Sequence, residues 1–127
     1  MNVDWLQELL SDSREVVASL LWEPLFPLDD LRAQVARYGL LIDQAGPQAD
    51  LELGRALVQG ALALLDAIAA GCTDVQRRLA QVAVRYFVLD DDGDDDLATA
   101  FGFDDDVEVF NVVVHRIGMN ELAIGWA

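Results

Sequence analysis

The chain has 127 residues, with 23 Asp+Glu against 8 Lys+Arg, and a formal net charge of -15. A hydrophobic share of 54% excludes a disordered chain and predicts one packed domain. The acidity argues against direct binding to nucleic acid or an anionic membrane, because both need a basic face.

Every basic residue is Arg, which reads as genomic codon bias, with a salt-adapted host as the second explanation. Cys72 is the single cysteine, so no intrachain disulfide forms. Met1-Asn2-Val3-Asp4 has no basic leader region, so no signal peptide is expected. The longest uncharged run, Ala56 to Leu65, falls short of the roughly 18 apolar residues of a spanning helix. These features predict a cytoplasmic protein without a membrane span.

The apolar residues then recur at helical spacing along most of the chain. A first helix is expected from Val3 to about Trp22, carried by Leu6, Leu9, Leu10, Val16, Val17, Leu20 and Leu21. Pro24 and Pro27 punctuate the chain after it. A second helix is expected over Leu28 to Asp43, with Leu31, Val35, Tyr38 and Ile42 on one stripe. Its first turn holds Asp29 and Asp30, where the helix dipole favours acids. A third helix is expected from Gln48 to Ala70, its core face formed by Leu53, Leu57, Leu64, Leu65 and Ile68. Gly71 is placed to close it.

Thr73-Asp74-Val75-Gln76 has the form of a capping box and predicts the start of a fourth helix. Val75, Leu79, Val82, Tyr86 and Leu89 form its stripe. A last helix is expected from Asp104 to Ile117, with Asp104 as N-cap and Gly118 as terminator. Its valines would suit a strand equally well, but the end signals favour helix. Val107, Phe110, Val113, Val114 and Ile117 form its buried stripe. The fold class is therefore all-α, a single bundle of four to five helices over residues 1–127.

The acidic segment between the last two helices holds nine Asp in the seventeen residues from Asp90 to Asp106. Crowded carboxylates repel one another unless solvent or a cation relieves the field. Hard cations such as Ca²⁺ or Mg²⁺ take oxygen ligands of this kind, and Gly93 permits the tight turn that convergence requires. If the fourth and fifth helices form an antiparallel hairpin, Asp92, Asp96, Asp105 and Asp106 lie at one end of the bundle as candidate metal ligands. The competing reading is a solvated loop. An EF-hand is excluded, since counting from Gly93 puts Val88 and Thr99 at two ligand positions. The match of Asp91-Asp92-Gly93-Asp94-Asp95 to a DDxxD string is discounted, because any Asp run contains one.

Other chemistry is sparse. His115 is the lone histidine and reads as structural, as does Cys72, which has no nearby histidine in sequence. No nucleophile elbow, P-loop or dinucleotide fingerprint is present. Trp5, Trp22 and Trp126 read as core or boundary packing, and Arg77, Arg78 and Arg85 as partners for acids.

Tyr86 through Val107 resembles the hairpin of the YkvA-like domain of unknown function. The residues that carry this are Tyr86, the acids Asp92 and Asp96, then Gly102-Phe103-Asp104-Asp105-Asp106. The resemblance spans about residues 75–117 and implies a helical hairpin with clustered acids at Asp92, Asp96, Asp105 and Asp106. The family's turn is rich in Pro and apolar residues, whereas Leu89, Asp90, Asp91, Gly93, Asp94 and Asp95 stand here. That departure counts against the membrane association inferred for its relatives. No reaction is implied.

Three functions remain in play. One is a non-catalytic helical domain whose Asp-rich hairpin binds a divalent cation or a cationic protein partner. Another is an acidic immunity or antagonist protein that occupies a basic site. The third is a carboxylate-only metal-dependent hydrolase, disfavoured because its acids would sit in turns and not within helices.

Overall fold

A computed structural model describes residue 7 and residues 11–44, 51–88 and 104–124. Five α-helices follow in order: α1 (Ser11–Leu20), α2 (Leu28–Asp43), α3 (Leu51–Ala70), α4 (Asp74–Val88) and α5 (Asp104–Arg116). A short 3₁₀ turn (Asn120–Leu122) ends the described chain. No strand occurs among the described residues. The expected all-α bundle is the observed architecture.

The apolar stripes account for the packing. On α2 the buried residues are Leu31, Val35, Tyr38 and Ile42, the four that helical spacing selects. They meet Leu57, Leu64, Leu65 and Ile68 of α3. α4 lies at the centre and contributes Leu79, Val82, Val84 and Phe87. Phe87 packs edge-on against Tyr38, with ring centroids 5.0 Å apart. α5 adds Val107, Val109, Phe110, Val113, Val114 and Ile117. Val17, Leu20 and Leu21 of the α1 end join the same core.

The helix ends follow their local signals. Thr73 and Gln76 form the reciprocal capping box. The Gln76 N–H donates to Thr73 Oγ1 at 3.1 Å, and the Thr73 N–H donates to Gln76 Oε1 at 2.9 Å. α5 ends in a Schellman motif. The Met119 N–H bonds Val114 O at 2.8 Å, the Gly118 N–H bonds His115 O, and Gly118 takes a φ of 84°. The valine-rich segment is thus helical, because its two ends are built for a helix.

Gln76 also donates through Nε2 to Ile117 O at 3.1 Å, which ties the start of α4 to the end of α5. The two helices are therefore antiparallel, and the end of α4 lies beside the start of α5. The C-terminal segment is clamped by Asn111. Its Nδ2 donates to Ile124 O, and its Oδ1 accepts from the Ile124 N–H, both at 2.8 Å.

Two expectations are corrected. Trp22 is not packed but 82% exposed. Val75 is exposed at the first turn of α4, ahead of the part of that helix that enters the core. α5 begins at Asp104, the expected boundary, and Asp104, Asp105 and Asp106 stand in its first turn, at the positive end of the dipole.

α3 is long and apolar enough to cross a membrane. In this fold one of its faces is buried in the bundle, and its charged groups bond outward. Asp66 receives Arg32 at 3.0 Å, and Arg55 reaches Asp43 at 3.1 Å.

Candidate functional site

The sequence places its candidate metal ligands at the α4–α5 hairpin. Asp92 and Asp96 lie outside the described residues. Asp105 and Asp106 are described and part company: Asp105 is exposed, whereas Asp106 is buried. Successive helix positions point about 100° apart, so neighbours in one turn face different surroundings. Among the described residues, no group of three or more His, Cys, Asp or Glu is arranged to hold a metal ion. His115 and Cys72 are both exposed, and no hydrogen bond joins them.

The most elaborate polar construction lies elsewhere, where α4 meets the connection between α1 and α2. Residues 21–27 form no helix beyond a turn, and Pro24 and Pro27 contribute no N–H. The segment therefore presents more carbonyls than donors, and buried carbonyls need partners. α4 supplies them from one face. Arg78 Nη1 donates to Leu21 O at 2.7 Å and to Glu23 O at 2.8 Å. Gln81 Nε2 donates to Pro24 O at 2.9 Å, while Gln81 Oε1 accepts from the Phe26 N–H at 2.7 Å. Arg77 Nη2 donates to Phe26 O at 3.1 Å. Pro27 O accepts from the Asp30 and Leu31 N–H groups as α2 begins.

Arg85 completes the clamp. Its Nε meets Glu23 Oε1 at 3.0 Å, and its Nη1 meets Gln34 Oε1 at 2.7 Å. Its guanidinium carbon lies 5.0 Å from the centroid of the Phe26 ring, a cation–π arrangement. Both ends of the Glu23–Arg85 pair are largely shielded from solvent, unlike the exposed pairs of Arg32 and Arg55. Arg77 and Arg78 thus bind backbone carbonyls and not the acids that sequence suggested. Arg85 alone of the three pairs with an acid. Gln81, buried among apolar neighbours, was not singled out by sequence at all. Its one signal is a polar residue within a run of apolar positions on α4.

The outcome is a rigid surface knuckle. Trp22 sits between two carbonyls held by one guanidinium, and its indole stands in solvent. Leu25 is also exposed. Compared with known proteins, the chain matches no family model, no curated protein and no solved structure.

Proposed function

We propose that this chain is a non-catalytic helical domain that docks a cationic protein partner through its acidic exterior. The observation that supports this is the direction of its charges. Arg77, Arg78 and Arg85 are spent on the α1–α2 connection and Arg32 and Arg55 on neighbouring carboxylates, while Arg37 and Arg116 are exposed. Glu15, Asp30, Glu52, Asp74 and Glu121 point to solvent. With a net charge of -15, such a surface raises the local concentration of a basic protein and speeds its encounter. A YkvA-like hairpin over about residues 75–117 and a cytoplasmic location belong to the same proposal.

Affinity capture at low salt, followed by reconstitution with the purified captured protein, tests it. The partner should be basic, and its affinity should fall by about tenfold or more between low and high NaCl. A tightly bound partner whose affinity ignores salt would overturn the reading.

A further inference from the structure

We infer that residues 119–124 form a releasable strap, latched to the bundle by Asn111, that opens as a unit while the five helices stay folded. The inference stands apart from the docking reading. The strap follows Gly118, and its short turn packs on α3 and α5. None of its residues is fully buried. Met119, Leu122 and Ile124 are partly buried against the core, and Asn120, Glu121 and Ala123 are exposed. The fully buried apolar residues, by contrast, belong to the helices and their immediate ends. The core is therefore complete without the strap, which has the few buried apolar contacts that mark a segment of low local stability.

The latch is one side chain acting on one residue. Asn111 Nδ2 donates to Ile124 O and its Oδ1 accepts from the Ile124 N–H, both at 2.8 Å. A carboxamide used this way stands in for a neighbouring strand, as in the main-chain pairing of an extended peptide. The Ile124 side chain lies beside Gly60, where an added Cβ would stand 3.5 Å from Ile124 Cδ1 and 3.0 Å from Phe110 Cζ. Within the strap, the N–H groups of Leu122 and Ala123 donate to its own carbonyls, Met119 O and Asn120 O. Opening thus breaks the two Asn111 bonds and lifts Ile124 from Gly60, while the bond from the Met119 N–H to Val114 O keeps the end of α5 closed. It bares the edge of the Phe110 ring beside the Asn111 amide.

Native-state amide hydrogen exchange of the full chain, in urea well below the unfolding midpoint, tests the inference. The Leu122 and Ala123 N–H groups report strap opening, because neither is bonded to Asn111. In the wild type they should be protected, yet exchange at least about tenfold faster than the core amides of α3 and α4 and with a weaker urea dependence. Val35→Ala, in the core on α2, should speed exchange of the core amides and leave the strap unchanged. Asn111→Ala should speed the strap amides about tenfold, as the loss of two hydrogen bonds requires. Ile124→Ala should speed them as well, although both backbone bonds to Asn111 stay available. Strap amides that share the core's rate and urea slope, and accelerate with Val35→Ala, would overturn the strap as a separate unit. An Asn111→Ala chain that fails to fold would do the same. Unchanged strap exchange in Asn111→Ala, or an unprotected strap in the wild type, would overturn the latch. Strap protection that rises with protein concentration would show the segment held by a second copy and overturn the intramolecular contact.

Discussion

Phe26 donates its backbone N–H to Oε1 of Gln81 across 2.7 Å, although the two residues are 55 positions apart in the chain. The same Gln81 amide gives its own proton to Pro24 O at 2.9 Å. One buried side chain therefore behaves as a strip of backbone would, offering a donor and an acceptor to a segment that has no regular partner. Its amide is held on both sides, which makes it an organising residue for the whole α1–α2 connection.

Replacing Gln81 with Leu preserves volume and removes both bonds. It leaves the part-buried Phe26 N–H and Pro24 O without their partner, and each lost bond costs about 0.5–1.5 kcal/mol net. We expect Gln81→Leu to lose about 1–3 kcal/mol in urea denaturation. Gln81→Glu should be no milder, since it keeps the acceptor but places a carboxylate where Pro24 O needs a donor. A Gln81→Leu protein as stable as the wild type would mean that the connection is held by its arginines alone.

The ion pairs should rank by exposure. Glu23 and Arg85 retain 26% and 19% of their side-chain exposure, while Asp66 and Asp29 retain 74% and 94%. Arg85 also bonds Gln34 and lies over Phe26. Arg85→Met should therefore cost about 2 kcal/mol, whereas Arg32→Ala and Arg55→Ala should each cost less than about 1 kcal/mol. A double-mutant cycle of Glu23→Gln with Arg85→Met should return a coupling of about 1 kcal/mol. A coupling near zero would assign the role of Arg85 to Gln34 and Phe26.

Sequence reasoning succeeded where the physics is local. The stripe Leu31, Val35, Tyr38 and Ile42 depends only on helical period, and it is the buried set of α2. The Thr73–Gln76 box and the Gly118 terminator depend on residues within one turn, and both are formed. It failed where a side chain reaches across the fold. The bonds of Arg77, Arg78, Gln81 and Arg85 to the connection span 51 to 62 positions, and no periodicity encodes them. Trp22 failed for the related reason that its exposure follows from where those bonds hold the backbone. The acidic hairpin was legible as a pattern of charge. Its antiparallel geometry follows from the Gln76–Ile117 bond, and of the four candidate acids Asp92 and Asp96 lie outside the described residues.

Two helical glycines should respond in opposite directions to the same substitution. A Cβ at Gly39 would meet the two methyls of Val58 at 3.6 Å, an ordinary contact. Gly39→Ala should then gain about 0.5–1 kcal/mol from helix propensity and a stiffer unfolded chain. A Cβ at Gly60 would stand 3.0 Å from Cζ of Phe110 and 3.5 Å from Ile124. Phe110 is buried, so the ring has little room to retreat, and overpacking costs about 1–3 kcal/mol. Gly60→Ala should melt below the wild type and Gly39→Ala above it. The reverse order would mean that the Phe110 ring and the Asn111-clamped tail yield easily.

Cations provide the last test, because a specific site and simple screening predict different thermal shifts. With a net charge of -15, self-repulsion opposes the compact state, and added NaCl should raise Tm by screening it. On the docking reading, Ca²⁺ or Mg²⁺ at matched ionic strength should give a rise close to that of NaCl, EDTA should change nothing, and Asp92→Asn/Asp105→Asn should respond as the wild type does. A metal held by Asp92, Asp96, Asp105 and Asp106 would behave otherwise. It would bind the folded chain selectively and stabilise it in proportion to the logarithm of its concentration. A Tm rise of several degrees with millimolar divalent ion, beyond the NaCl effect and absent in the variant, would establish that site and displace docking as the role of the acidic hairpin.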